Sequence, residues 1–484
     1  MHVDHQLKLS GLDLWEFLDK CGVKFGRWLA LPFNYKVVVY AKVLMAERWK
    51  KADVERDMDK NLFYSLRWAL PCDSKIALPM LIRIRENFPC FDIGCHRNRT
   101  FRWAARFGQL DIVKMLLKDS KVDPSDDGNL ASIWALENQF VDIVRLLLED
   151  RRIAPNFNNN HPIKIASQYG MHEVVSILLT LSTVNPAVED NVPLRLACQD
   201  GQTQIVKLLL QDQRVDPAAF NNYSIIIASR LGKTDVVKVL LAEGARIDPT
   251  QNESEAIRDA SENGHGEIVR LLLNDGRADP SVRQNFPLKM AAQCGYSEIV
   301  EMLLRDTRIE PQPWILKIAA SHGHCSVIST LLKDARFNPS SSLIEAILRA
   351  CRNGHKHAVQ ILLADPRVKI DNQESKVLKN AVESGNISLF KLLLTYFDPS
   401  IENQSTLKYA ARIGNADLVS ILLEDSRAKT DANYRQAIRE AVEYSHFKVV
   451  RLLLENVNCS SKNSLNDMGE KQIVNIAETY LKSN

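Results

Sequence analysis

The sequence predicts an all-α fold, a helical solenoid of stacked helix-turn-helix repeats with short loops. The first observation is repetition, because twelve copies of one pattern follow each other over residues 98–458 of the 484, mostly 31 residues apart. The second is an alanine four residues before a turn residue in every copy. The third is a leucine pair eight and nine residues after that turn residue, again in every copy.

The turn residue, here called the anchor, is glycine in ten of the twelve copies. Glycine readily adopts the left-handed conformation that commonly closes an α-helix. We therefore predict an inner helix before each anchor and an outer helix after it. The anchors are Gly108, Gln139, Gly170, Gly201, Gly232, Gly264, Gly295, Gly323, Gly354, Gly385, Gly414 and Ser445.

The apolar residues of each copy predict how the helices pack. A small alanine side chain lets neighbouring inner helices approach closely. An Ile/Val pair four and five residues after most anchors joins the leucine pair to form a broad apolar face on the outer helix. Nine copies then carry a proline, which ends the outer helix. One helix pair cannot cover its own apolar face, so the pairs are expected to stack.

The repeated pattern Ala-x-x-x-Gly-x-x-x-(Ile/Val)-Val-x-x-Leu-Leu resembles the ankyrin-repeat family over residues 98–458. The opening Thr-Pro-Leu-His of that family survives only in fragments such as "HPIKIA" at 161–166. The period of 31 is shorter than the family's 33, so the projecting loops are expected to be short. The resemblance implies a non-enzymatic scaffold that binds a partner protein on its concave face. We expect this scaffold to be a monomer.

The ends of the chain do not carry the repeat cleanly. We predict an N-terminal helical region or cap at 1–61, a degenerate first repeat at 62–97, and a C-terminal capping helix and tail at 459–484. The Leu31-Pro32 start of the segment before the first repeat is similar to an F-box. This similarity supports an alternative, a substrate-recognition adaptor whose N-terminal region docks to a larger complex such as a ubiquitin ligase.

Composition narrows the class of protein. The 62 basic and 59 acidic residues give a formal net charge of +3, which gives no reason to expect a nucleic-acid partner. No secretory signal and no apolar run of roughly 20 residues is present, so no membrane insertion is expected. Nine cysteines in a long chain indicate reduced thiols. We expect a cytoplasmic protein, with the nucleus as the other compartment.

Motifs of catalysis and cofactor binding are absent from the sequence. It contains no phosphate-binding loop, no His-Glu-x-x-His helix and no Gly-x-Ser-x-Gly elbow. Two groups of residues have metal-ligand chemistry, and for both we favour a structural role over a metal site. The groups are Cys72, Cys90, Cys95 and His96, and His322, His324, Cys325, His355 and His357. We expect no metal and no cofactor.

Candidate partner-binding residues begin with a basic row six residues before the anchor, where nine copies carry a cation: Arg102, Lys164, Arg195, Arg258, Lys289, Lys317, Lys379, Lys408 and Arg439. These cations either pair with loop acids, which we favour, or face an acidic or phosphorylated partner. The acids considered are Asp123, Asp190, Asp216, Asp279 and Glu402. Large loop side chains are the second candidates, namely Phe157, Phe220, Tyr223, Arg283, Phe286 and Trp314.

A recurring Asp-x-Arg follows several outer helices, for example Asp212-Gln213-Arg214. A cation near the C-terminus of a helix interacts favourably with the helix dipole. We therefore interpret this motif as structural capping.

Overall fold

The computed structural model describes residues 78, 81–82 and 95–456, except 340–341, 371–372, 426 and 428–430. These residues form 24 α-helices and one short 3₁₀ helix, and no strand occurs among them. The all-helical prediction is confirmed. The predictions for residues 1–61 and 459–484, including the docking role, lie outside the described residues, as does nearly all of the degenerate first repeat.

The helices alternate between inner and outer, as the anchors predict. The inner helices are α1 (Cys95–Arg106), α3 (Asp126–Glu137), α5 (Phe157–Gln168), α7 (Val188–Asp200), α9 (Ala219–Arg230), α11 (Gln251–Glu262), α13 (Val282–Cys294), α15 (Trp314–Ser321), α17 (Leu343–Arg352), α19 (Glu374–Ser384), α21 (Ile401–Ile413) and α23 (Asp431–Glu443). The outer helices are α2 (Leu110–Leu117), α4 (Val141–Glu149), α6 (His172–Thr180), α8 (Thr203–Gln211), α10 (Thr234–Ala242), α12 (Gly266–Asp275), α14 (Ser297–Arg305), α16 (Cys325–Lys333), α18 (Lys356–Leu363), α20 (Ile387–Leu394), α22 (Ala416–Glu424) and α24 (Phe447–Asn456).

The chain divides into two compact units. Unit 1 runs to Ala228 and includes Lys238–Ile247, and unit 2 holds Ser229–Val237 and the residues from Asp248 onward. Within unit 1, the inner helices α1, α3, α5 and α7 pack side by side in chain order, and the outer helices α2, α4, α6 and α8 do the same. Unit 2 repeats this arrangement from α11 to α24.

The core of each unit comes from the repeated small and aliphatic positions. All twelve alanines four residues before the anchor have no exposed surface, which lets the backbones of neighbouring inner helices approach closely. The first leucine of each pair is at most 1% exposed, while the second lies nearer the edge of the core. Burial of each leucine stabilises the stack by about 1.5–3 kcal/mol relative to an exposed side chain.

Every anchor adopts the predicted left-handed conformation, with φ between 60° and 84°. This includes Gln139 and Ser445, the two anchors that are not glycine. At several copies the next repeat lies directly against the anchor. A Cβ atom on Gly295, for example, would lie 2.6 Å from Nδ1 of His324. Glycine is required there both for its backbone conformation and for the close approach.

Candidate partner-binding surface

Among the described residues, six inner helices contain three left-handed residues directly after their first residue, with φ between 47° and 70°. These residues, here called the left-handed turns, lie where each connecting loop enters the inner helix. Only one of the eighteen residues is glycine, and asparagine, which tolerates this conformation best, is common. The left-handed turns are 127–129, 158–160, 189–191 and 220–222 in unit 1, and 252–254 and 283–285 in unit 2.

In five of the six left-handed turns the third residue is buried, and in several of them it links its loop to the loop of the next copy. The Oδ1 atom of Asn160 accepts a hydrogen bond from the Asn185 N–H at 2.7 Å, and Asn191 accepts one from the Asp216 N–H at 3.1 Å. In unit 2, the Nδ2 atom of Asn285 donates to a carbonyl oxygen 2.8 Å away. The sequence analysis missed this role, although an asparagine five residues after the proline of several copies is its signal.

Part of the basic row forms ion pairs between neighbouring copies. Arg102 pairs with Asp127, and the Lys164 Nζ atom lies 3.2 Å from a carboxylate oxygen of Glu189. In unit 2, the Lys408 Nζ atom lies 3.3 Å from the Oε1 atom of Glu440. These acids differ from the ones named from the sequence. Three of those expected partners, Asp123, Asp216 and Asp279, accept the N–H two residues further along their own loops instead.

Two arginines of the basic row bind the left-handed turn of their own copy. Arg195 donates from Nε to the Asp190 carbonyl oxygen at 3.1 Å and from Nη2 to the Glu189 carbonyl oxygen at 2.9 Å. Arg258 makes the equivalent bonds at 3.0 and 2.8 Å, and it is only 8% exposed. Its guanidinium lies 5.8 Å from the ring centre of Phe286. These cations hold the loop rather than point into solvent.

The remaining members of the basic row lie in unit 2. Lys289, Lys317 and Lys379 are partly exposed, and Arg439 is exposed. Within the described part of the chain, Lys289, Lys317 and Arg439 form no ion pair. These three therefore offer a partner cations that form no ion pair with a described carboxylate.

The candidate loop side chains differ in exposure. Phe157 is only 7% exposed, so its ring belongs to the core and offers a partner little surface. Tyr223, Phe286 and Trp314 are partly exposed. Phe220 is 57% exposed, the largest value among the large hydrophobic residues that the structure describes. Exposed Arg283 pairs with Glu253 of the preceding copy.

An apolar row on the inner helices of unit 1 was not singled out from the sequence. Trp134, Ile165 and Leu196 each precede the buried alanine of their copies and are partly exposed. In the first copy of unit 2, the same position holds Asp259, whose pKa is raised, chiefly by burial, although Arg230 donates from Nε to its carboxylate at 2.8 Å. The signal in the sequence was an apolar residue five positions before the anchor in consecutive copies.

The arginine of the Asp-x-Arg motif caps an outer helix, but that helix belongs to the preceding copy. The Arg214 guanidinium binds the carboxylate of Asp212 and donates from Nη1 to the Val184 carbonyl oxygen at 2.8 Å and from Nη2 to the Leu179 carbonyl oxygen at 3.4 Å. Leu179 lies in the last turn of α6, one copy earlier. The hydrogen bond from Arg214 holds the pKa of Asp212 below its usual value. The arginine of the motif lowers the pKa of the aspartate in the same way at Asp150, Asp275, Asp306, Asp334, Asp365 and Asp425.

The histidines of the second metal-like group contribute to packing. Nε2 of His324 lies 2.8 Å from the Gln293 carbonyl oxygen, and Nε2 of His355 lies 3.0 Å from that of Ser321. Each ring thus joins one copy to the copy before it. Over residues 78, 81–82 and the described parts of 95–456, no group of three or more potential ligands is placed to hold a metal. The side chains of the N-terminal group lie outside the described residues. None of the described helices is both long and apolar enough to cross a bilayer.

Comparison with known families agrees with this geometry. The family model for ankyrin repeats, described as three copies, matches residues 101–190, 165–251, 225–313, 316–405 and 378–464. These overlapping matches cover well over half of the chain. A comparison with curated proteins finds no match. The chain belongs to the ankyrin-repeat family.

Proposed function

We propose that this chain is a non-enzymatic scaffold that binds a partner protein on the surface formed by its inner helices and left-handed turns. Ankyrin repeats are generally modules of protein–protein interaction and are typically non-enzymatic. The observation that supports this surface most directly is the partly exposed apolar row of unit 1, Trp134, Ile165 and Leu196. Apolar side chains at the centre of a polar rim are the usual anchors of protein interfaces.

The basic row supports this surface indirectly. In unit 1, Arg102, Lys164 and Arg195 hold carboxylates or carbonyl groups, so they fix loops of the unit that carries the apolar row. Specificity is then expected from side chains that vary between copies, because the alanines, anchors and first leucines are determined by packing. We place the protein in the cytoplasm or the nucleus.

A paired substitution tests the proposal. Ile165→Gln with Leu196→Gln removes two members of the apolar row but keeps side-chain length and helix propensity. The matched control is Lys207→Gln, an exposed position on the outer helix α8 of the same unit. Affinity capture followed by mass spectrometry is expected to lose partners with the paired variant and to keep them with the control. An unchanged partner list, with circular dichroism showing intact helices, would contradict the proposal.

A further inference from the structure

The left-handed turns of unit 1 begin with a polar or charged residue in all copies but one. Their first residues are Asp127, Asn158, Glu189 and Phe220. The backbone of Phe220 has φ 54° and ψ 47°, a conformation that bulky residues rarely adopt. Its side chain nevertheless remains 57% exposed. Neither the backbone conformation nor burial in the core accounts for a phenylalanine at this site.

The Phe220 ring has a defined setting. The ring of Tyr223 meets it edge to face, with centres 5.7 Å apart and planes at 79°. The guanidinium of Arg195 lies 4.7 Å from the Phe220 ring centre and 5.7 Å from that of Tyr223. Two backbone carbonyl groups of the preceding left-handed turn hold Arg195 in place. We call Phe220, Tyr223 and Arg195 the aromatic platform.

The surroundings of the aromatic platform carry negative charge. The loops 123–129, 154–160, 185–191 and 216–222 of unit 1 contain six carboxylates and no lysine or arginine. Three cations of the basic row face these loops, and two of them, Arg102 and Lys164, pair with Asp127 and Glu189. Asp190 is exposed, and its backbone carbonyl is one of the two groups that hold Arg195. Its carboxylate therefore lies in the turn on which the aromatic platform is built.

We propose that the aromatic platform binds a basic peptide segment of the partner protein, an inference that rests on the proposed function. An aliphatic or aromatic side chain of the segment covers the exposed surface of Phe220. A lysine or arginine of the segment pairs with Asp190. Charge complementarity selects a basic occupant, because the basic-row cations of unit 1 already bind carboxylates or carbonyl groups and the loops of unit 1 carry the excess of acid. An acidic or phosphorylated segment would meet like charge at the loops.

Selection from a phage-displayed library of random 12-residue peptides on the intact chain tests this proposal. The selected peptides are expected to carry lysine or arginine together with an apolar residue. Phe220→Asn is expected to weaken binding of a selected synthetic peptide at least about tenfold, as for a hot-spot residue. Asp190→Asn is expected to weaken it a few-fold and to reduce its dependence on salt, because an exposed charge pair is screened. Fluorescence anisotropy measures both.

The variants separate loss of binding from loss of folding. Asparagine already occupies the first residue of the turn at Asn158 and Asn252, so Phe220→Asn is expected to fold with an unchanged thermal midpoint. Tyr396→Asn is the matched control, since Tyr396 is 52% exposed outside the left-handed turns, and it should bind the peptide as the unmodified chain does. Acidic selected peptides, no selected peptide at all, or binding by Phe220→Asn within twofold would overturn the proposal.

The same variants distinguish this inference from the proposed function. If affinity capture loses partners with Ile165→Gln/Leu196→Gln but not with Phe220→Asn, the interaction surface stands and the basic segment is rejected. If neither variant loses partners, both proposals are rejected. Loss with Phe220→Asn and with the paired variant supports both.

Discussion

Replacing Gly295 by alanine is expected to destabilise the stack far more than the same change at Gly385. Both anchors are left-handed, with φ of 84° and 67°. They differ in the side chain of the next copy that packs against them. A Cβ atom on Gly295 would lie 2.6 Å from Nδ1 of His324, whereas the nearest atom to a Cβ on Gly385 is Nδ2 of Asn415, at 3.6 Å.

The magnitudes follow from these distances. The left-handed conformation disfavours an L-residue by about 1–2 kcal/mol, and this term applies to both variants. At Gly295 the imidazole of His324 must also move, which removes its 2.8 Å hydrogen bond to the Gln293 carbonyl oxygen. A net hydrogen bond contributes about 1 kcal/mol, and displaced packing adds a similar amount. The free energy of unfolding should fall by about 3.5 kcal/mol for Gly295→Ala and about 1.5 kcal/mol for Gly385→Ala.

Urea denaturation followed by circular dichroism measures this difference. A third measurement compares Gly295→Ala with the unmodified glycine in a His324→Ala background. In that background no imidazole ring contacts the new methyl group. There the loss should fall to about 1.5 kcal/mol, the value expected from the backbone conformation alone. Equal losses for the two glycines, or a loss at Gly295 that persists without the ring, would refute the reasoning.

Three further predictions concern the contacts between repeats. Arg214→Met should lower the free energy of unfolding by about 1–2 kcal/mol in urea, because it removes the bond to the Val184 carbonyl oxygen, and an unchanged midpoint would contradict this. The pKa of Asp212 lies below 3.8 in the folded state, so its pairing stabilises the fold above that pH. Stability should therefore fall as pH decreases below about 4, and less so in Asp212→Asn. Burial raises the pKa of the Cys351 thiol to about 12, so a maleimide should label exposed Cys294 but not Cys351 in the folded protein, as mass spectrometry would show.

The architecture was predictable because its determinants recur within about ten residues of every anchor. A buried alanine, a left-handed turn residue and a leucine pair report local backbone and packing requirements that hold equally in each copy. Twelve repetitions make such a pattern visible without knowledge of any contact between copies. The prediction was correct even at Gln139 and Ser445, because the backbone conformation at that position is imposed by both helices of the pair.

The partners of the polar side chains could not be predicted in the same way. Arg102 reaches Asp127 rather than Asp123, and Arg214 caps the helix of the previous copy rather than its own. These partners lie 25 to 35 residues apart, and which of several nearby acids or carbonyl groups is bound depends on the path of the loop. That path includes three consecutive residues in the left-handed conformation. The spacing of apolar residues in the helices does not predict this conformation.

The amino-acid sequence by itself determined the repeat, its helices and its buried positions, because local sterics and apolar spacing specify them copy by copy. Only the tertiary structure decided which side chains remain accessible. In the folded chain Phe157 lies in the core, Phe220 remains exposed, and part of the basic row binds the loops. The physical reason is that exposure depends on what the neighbouring copy places against a residue, and the loop conformations that set this placement vary from copy to copy.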